Sequence, residues 1–200
     1  GTTGIAQADF SPRNQPGSHI NDPSLSMATD HISLSTSIKK CGTSSIHMSD
    51  GGNSAFQVQA NNWQSDFQMG TDPFTFECWI KSGKAASASG AFLGQWQSGG
   101  GTNRNVQLYW SSNGVVTGYM NRSTTNYSAG SVAAVTRGVW HHVALVLEST
   151  TLRFYLNGVQ TQSATVSGTE NNSAVKFWVG GEDNGSGFPV YGFNGYLSNV

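Results

Sequence analysis

The sequence predicts an all-β protein, built as a β sandwich or barrel with little helix. Gly, Ser, Thr and Asn together supply more than two fifths of the 200 residues, and these residue types favour turns over helices. Aromatic residues still make up 11% of the chain, enough to form a core. Many short apolar runs separated by turn residues are typical of sandwiches and barrels.

The first forty residues are irregular, with Pro, Gly and Asn punctuating residues 11–23. A short alternating run at residues 31–34 is a candidate strand. We expect residues 1–40 to form either an arm that packs against a neighbour or a first strand with long loops. Residues 41–200 show no internal repeat and are predicted to form one domain.

Regular strand patterns begin after Ser44. Side chains alternate between the two faces of a strand, so in residues 74–81 the side chains of Phe74, Phe76, Cys78 and Ile80 share one face. Hairpin turns are predicted at residues 111–114, 149–151 and 157–158, and two of these contain Asn-Gly, which tolerates positive φ. Strands are predicted at residues 45–48, 55–58, 74–81, 91–96, 106–110, 115–120, 140–148, 152–156, 159–166, 175–179 and 191–197. This number and spacing of strands is typical of a sandwich of antiparallel sheets.

Charge excludes two classes of partner. The chain has 10 Lys and Arg against 11 Asp and Glu, for a net charge of −1. A nucleic-acid-binding surface and a polybasic membrane anchor both need an excess of cations. No apolar run approaches the roughly 20 residues of a membrane-spanning helix, and the first residues do not match a signal peptide. We therefore expect neither nucleic acid nor membrane insertion.

The two cysteines, Cys41 and Cys78, are not spaced as zinc ligands. One alternative is a single disulfide in an oxidising compartment. The other, which we favour, is two buried thiols that act as small apolar side chains.

Five motifs follow one another in a recognisable order: residues 74–81 (FTFECWIK), 140–146 (WHHVALV), 152–158 (LRFYLNG), 179–181 (VGG) and 193–200 (FNGYLSNV). Together they resemble the laminin G-like, concanavalin A-like jelly-roll superfamily. Residues 40–46 also resemble its opening strand, with Cys41 where an aromatic residue is usual. The resemblance covers about residues 40–200 and implies a two-sheet antiparallel jelly-roll sandwich.

The superfamily includes endoglycanases, which need two carboxylates on either side of one glycosidic bond. Glucanase members carry them on a strand of the type E-x-D-x-E, and this sequence has no such string. Its glutamates, Glu77, Glu148, Glu170 and Glu182, are isolated on different segments. We therefore expect a non-catalytic module, with an endoglycanase as the less favoured alternative.

Metal binding has two candidate locations. His141 and His142 are adjacent on a predicted strand and face opposite sides, so we expect one packed and one surface histidine rather than a shared metal. The resemblance implies a possible calcium site on loops rich in oxygen ligands. The candidate ligands are Asp50 and Asn53, or Asp183 and Asn184, although both strings also fit ordinary turns, which we favour.

Aromatic residues in the middle of the chain are candidates for sugar binding, because their faces stack on the apolar faces of sugars. The candidate carbohydrate-binding residues are Trp96, Arg104, Tyr109, Trp110, Tyr119 and Tyr127. The alternative is that these rings belong to the core or rim of the sandwich.

Versions of this domain with little charge and much Ser, Thr, Asn and Gly resemble modules of bacteriophage virions, on tail fibres or as capsid decorations. The resemblance implies a location on a virion or extracellular surface, with a cell-surface glycan or other virion or surface proteins as partners. We also expect an oligomer or a part of a larger assembly. The alternative is a secreted bacterial carbohydrate-binding or adhesin module.

Overall fold

The computed structural model describes residues 32–49, 56–58, 72–83, 89–171, 175–186 and 189–200. Every regular element in these ranges is a β-strand, and none of these segments forms a helix that is long and apolar enough to cross a membrane. The strands are β1 (Ile32–Ser35), β2 (Ser45–Met48), β3 (Phe56–Val58), β4 (Phe74–Ser82), β5 (Gly90–Trp96), β6 (Arg104–Trp110), β7 (Val116–Arg122), β8 (Thr125–Gly130), β9 (His141–Glu148), β10 (Thr151–Leu156), β11 (Val159–Thr165), β12 (Phe177–Val179), β13 (Glu182–Asp183), β14 (Pro189–Val190) and β15 (Gly195–Ser198).

The strands form two large antiparallel sheets that face each other, as a two-sheet jelly-roll sandwich. The seven-stranded sheet has the order β1-β2-β15-β4-β9-β10-β11, and the six-stranded sheet has the order β3-β12-β5-β6-β7-β8. A short third pair joins β13 to β14. The fold class that the sequence predicted is confirmed.

The core lies between the two sheets and follows the predicted alternation. On β4, Cys78 and Ile80 are fully buried while Thr75 and Glu77 are exposed. The largest fully buried side chains come from both sheets and from the segment before β15. They include Phe92, Trp110, Leu145, Phe154 and Phe193. Burial of side chains of this size stabilises a fold by roughly 1.5–3 kcal/mol each.

The three predicted hairpins are present. Strands β6 and β7, β9 and β10, and β10 and β11 pair as antiparallel neighbours. At the last turn Asn157 and Gly158 both have positive φ, 52° and 81°, as a two-residue turn between twisted strands requires. Gly114 has a φ of 88° at the first.

Strand β8 was not predicted from the sequence. Its residues, Thr125–Gly130, are mostly polar, and it forms the edge of the six-stranded sheet. The turn before it places Ser123 and Thr124 at φ values of 46° and 70° without an Asn-Gly pair. An edge strand with a polar exposed side and an unusual turn has neither of the signals used to recognise a hairpin.

The prediction of two buried thiols is wrong for one of them. Cys78 is buried, but Cys41 is exposed, and neither is in a disulfide. Cys41 lies in the loop after β1, where its backbone N–H donates to Ser198 Oγ at 3.2 Å. Most of the predicted arm lies outside the described residues, and its last part forms β1, which pairs with β2.

Candidate functional site

Four of the predicted carbohydrate-binding residues meet on the outer face of the six-stranded sheet. The guanidinium of Arg104 lies 5.0 Å from the centroid of the Trp96 ring. The ring of Tyr119 is 5.9 Å from that of Trp96. Tyr109 is two residues beyond Gln107 on β6, and Gln107 lies opposite Tyr119 on β7. Tyr109 and Tyr119 therefore share one face of the sheet.

A β-bulge brings Arg104 and Trp96 together. The register between β5 and β6 shifts after Gln95, so that Trp96 lies opposite Arg104 and Asn105 is skipped. A bulge redirects the side chains on its strand. The Nε of Arg104 also donates to the backbone oxygen of Gln97 at 3.0 Å. The cation is therefore fixed from two sides at the end of β6.

Trp96 supports this surface and is not an open platform for a sugar. Only 7% of its surface is exposed, and Arg104 and Tyr119 both lie against its ring. A ring that is covered in this way offers no free face for stacking. Its role is to hold the guanidinium through a cation–π contact.

Glu182 is a buried acid of this surface that sequence reasoning did not place there. It is 6% exposed, and Gln107 donates a hydrogen bond from Nε2 to its carboxylate. Burial raises the pKa of Glu182, against hydrogen bonds from Gln107 and Ser98 and the charge of Arg104, which lower it. The residue is brought here by β13, whose Asp183 is bridged to Gln97 at the end of β5.

Tyr191 is a second residue that the sequence did not indicate. The strand predicted to start at residue 191 starts at Gly195 instead, and Tyr191 has a left-handed φ of 49°. Its backbone oxygen accepts a hydrogen bond from Ala91, which lies opposite Tyr109 on β6. The side chain is 56% exposed, so it adds an accessible ring beside Tyr109.

The charges of these residues interact. Burial raises the pKa of Tyr109, a hydrogen bond with Ser89 lowers it, and nearby Glu182, Tyr119 and Tyr191 raise it. We call this outer face the aromatic–arginine surface. It consists of Trp96, Arg104, Gln107, Tyr109, Tyr119, Glu182 and Tyr191. It combines accessible rings with a fixed cation, an amide and a buried carboxyl group.

Two of the predicted sugar-binding residues lie elsewhere. Trp110 is fully buried, with its ring 6.3 Å from that of Phe193, because residues 106, 108 and 110 of β6 all face the core. Tyr127 packs against the core, and its hydroxyl contacts Ser167 Oγ at 2.9 Å. Neither ring lies on the aromatic–arginine surface. Full burial leaves Trp110 no face for a sugar, whereas sugar binding by the half-buried Tyr127 stays a prediction.

Asp183 and Asn184 form turn contacts. Asp183 Oδ1 accepts the N–H of Gly185 at 2.6 Å, and Asn184 Oδ1 accepts the N–H of Ser186 at 2.7 Å. In the part of the chain that the structure describes, no group of three His, Cys, Asp or Glu side chains is placed to hold a metal ion. The contacts of Asp183 and Asn184 are those of ordinary turns, which the sequence analysis favoured. Asp50 and Asn53 lie outside the described residues, so calcium binding at either pair stays a prediction.

The two adjacent histidines face opposite sides of β9, as predicted. His141 is buried near Trp110, and its Nε2 lies 2.9 Å from the backbone oxygen of Thr136. His142 is on the outer face of the seven-stranded sheet, where its Nε2 lies 3.5 Å from Glu77. Glu77 therefore lies beside His142 on the seven-stranded sheet, whereas the aromatic–arginine surface is on the six-stranded sheet.

Solved structures share this fold. The CBM40 module of the IT-sialidase from Ruminococcus gnavus is 18% identical, with 77% of this chain and 86% of that chain covered and a TM-score of 0.60. The same module bound to α2,3-sialyllactose is 17% identical, with 78% and 90% covered and a TM-score of 0.59. Domains LG4-5 of the mouse laminin α1 chain are 16% identical, with 75% and 38% covered and a TM-score of 0.51. Two of these structures are thus of a carbohydrate-binding module.

No curated protein sequence matches the chain at a significant level. A family model does match, over residues 45–200. This range spans both large sheets from β2 to the end of β15. The chain therefore belongs to the concanavalin A-like lectin/glucanases superfamily.

Proposed function

We propose that this chain is a non-catalytic module that binds a glycan on the aromatic–arginine surface. The observation that carries the proposal is the convergence of Arg104, Tyr119 and Glu182, which come from three separate strands, on one sheet face. Sugar-binding sites combine flat apolar contacts with a few fixed polar groups. This surface offers both.

Each part of the surface has a defined role in the proposed complex. The rings of Tyr109, Tyr119 and Tyr191 contact the apolar face of a sugar. Arg104 donates hydrogen bonds to hydroxyl or carboxylate oxygens, and its position over Trp96 reduces the entropy lost on binding. Glu182 orients the amide of Gln107.

Sialyllactose is the first ligand to test, because a module with the same fold binds it and because Arg104 supplies a cation for its carboxylate. Binding of α2,3-sialyllactose and of lactose is compared by titration calorimetry, after a glycan array has surveyed other sugars. Tyr119→Ala is expected to weaken binding about tenfold or more, the loss typical of an aromatic contact at the centre of a site. Arg104→Gln should weaken binding of the charged sugar more than that of the neutral one.

Tyr155→Ala is the matched control, because Tyr155 lies on β10 of the other sheet. It should leave glycan affinity unchanged. Absence of binding to every glycan on the array, or an equal loss in Tyr119→Ala and Tyr155→Ala, contradicts the proposal.

The proposal places the module on an outer surface, in a phage tail fibre or capsid decoration or, as the alternative, in a secreted bacterial adhesin. Such a role predicts self-assembly. Light scattering of the purified chain, with and without a calcium chelator, should give a mass above that of the 21.2 kDa monomer. A monomeric mass that is the same with and without the chelator contradicts self-assembly. It leaves glycan binding as a separate question.

A further inference from the structure

The outer face of the seven-stranded sheet carries a second group of rings and cations. His47 on β2, Tyr196 on β15 and Lys81 on β4 are register partners in one row across the sheet. The rings of His47 and Tyr196 are stacked, with centroids 4.3 Å apart. The ammonium group of Lys81 lies 5.9 Å from the centroid of the Tyr196 ring. Trp140 lies at the end of this row, 6.4 Å from Tyr196.

A second row lies beside the first. Trp79 on β4 is opposite His142 on β9, and their rings are 5.2 Å apart. The ammonium group of Lys40 lies 4.3 Å from the centroid of the Trp79 ring. Lys40 is held there because the next residue, Cys41, hydrogen-bonds through its backbone to Ser198, the β15 partner of Trp79. We call the two rows together the basic aromatic face.

The basic aromatic face is positively charged although the whole chain has a net charge of −1. Lys40 and Lys81 each lie over a ring, and a ring orders an ammonium group without removing its charge. Among the residues that the structure describes, the acid of this face is Glu77, which lies beside His142. Further along the sheet Arg153 and Glu148 form an ion pair at 2.8 Å. The unbalanced charge is therefore concentrated at the two lysines.

We propose that the basic aromatic face binds an anionic polysaccharide that carries carboxylate or sulfate groups along its length. Trp79 and Lys81 are two residues apart on β4, so the rows that contain the two lysines lie about 7 Å apart along the strand. An extended ligand with anionic groups along its length contacts both lysines. The rings of Trp79 and Tyr196 hold the two ammonium groups in place, as Trp96 holds the guanidinium of Arg104.

A polysaccharide fits this surface better than an acidic peptide. Strands β2, β15, β4 and β9 are internal to the sheet, with a paired neighbour on each side. An extended peptide gains much of its affinity by adding a strand to an open edge, and the middle of a sheet offers none. Recognition here depends on side chains alone. The site is on the opposite sheet from the aromatic–arginine surface and does not depend on it.

The test compares four probes by titration at low and at physiological salt: a polyuronate, a sulfated glycosaminoglycan, a neutral glucan and poly-glutamate. Binding of the polyuronate or of the glycosaminoglycan, weakened by salt, supports the proposal and identifies the preferred anion. Absence of binding to both overturns the polysaccharide proposal. Binding of poly-glutamate as tight as that of either polysaccharide also overturns it, in favour of an acidic peptide.

Substitutions distinguish binding at this site from a general electrostatic attraction between the polyanion and the protein. The double substitution Lys40→Gln and Lys81→Gln should weaken binding about tenfold, and both lysines lie outside the core, so folding is retained. Lys176→Gln, which removes one cation beside β12 of the other sheet, is the charge control. It should bind the polyanion as the wild type does. Equal losses in Lys176→Gln and the double variant, or no loss in the double variant, overturn the proposal.

Discussion

Neighbouring residues on β6 have opposite roles although their side chains are similar. Tyr109 lies on the outer face beside Tyr191, whereas Trp110 is fully buried between the sheets. The difference follows from the period of two along a strand. On this strand, the position of a residue in the alternating pattern therefore predicts whether its ring is buried or on the surface better than its residue type does.

Glu182 is an acid whose ionised form is opposed by its surroundings. It is buried, and burial raises its pKa above the ordinary value of 4.5. A raised pKa for an acid means that the folded state binds the proton more tightly than the unfolded state. The contribution of Glu182 to stability is therefore greatest below pH 4.5 and is lost as the pH rises through the folded-state pKa.

Glu182→Gln is expected to raise the unfolding temperature at pH 7, because an amide of the same shape has no charge to desolvate. The gain should shrink as the pH falls below 4.5, where the wild-type side chain is neutral as well. Thermal unfolding across pH 3–8 measures it. Glu148→Gln, at an exposed ion pair, is the control and should change little. A variant that is less stable than the wild type at pH 7 would contradict this account.

At the scale of elements, turns and bulges determine which side chains meet. The bulge at Gln95 aligns Trp96 with Arg104, and the turn at Asn157 links β10 to β11. Asn157 also accepts the backbone N–H of His142 through Oδ1 at 2.9 Å. The turn thus fixes the edge of the seven-stranded sheet and one residue of the basic aromatic face.

Gly158→Ala tests the backbone of this turn. Gly158 has a φ of 81°, and a Cβ there would meet no heavy atom within 4 Å. Any loss of stability then comes from the left-handed conformation, about 1–2 kcal/mol. Gly101→Ala is the matched control, since Gly101 also has open space but no left-handed φ. Urea unfolding should show a loss for Gly158→Ala only, and equal effects would argue against a backbone origin.

At the scale of the whole molecule, the two sheets approach closely at Gly118. A Cβ at this position would collide with the side chain of Leu145, which is fully buried on the other sheet. Side chains at this spacing interdigitate in a sandwich core. The absence of a side chain on β7 therefore makes room for Leu145 on β9.

Gly118→Ala should destabilise the protein by roughly 1–3 kcal/mol through overpacking. Leu145→Ala alone should cost about 2–5 kcal/mol because it leaves a cavity. In the double variant the added methyl group enters that cavity, so the two losses should not add. Urea unfolding of the wild type, the two single variants and the double variant gives the coupling free energy between the two positions. Strictly additive losses would show that the two positions are not in contact.

The sandwich also separates the two proposed binding surfaces. The aromatic–arginine surface lies outside the six-stranded sheet, and the basic aromatic face lies outside the seven-stranded sheet. The core lies between them. Substitutions on one face should therefore leave ligand binding on the other unchanged, and each proposal can fail without the other.

The sequence by itself determined most of the strands, the faces of β4 and β9 and the three hairpin turns, because alternation and turn chemistry are local properties. It also pointed to Arg104, Tyr109 and Tyr119. It did not indicate Glu182, Tyr191 or the position of Lys40 over Trp79, because these depend on which strands become neighbours. Only the tertiary structure decided that pairing. Strand order and bulges bring together residues that are far apart in the chain, and local sequence patterns do not predict either feature.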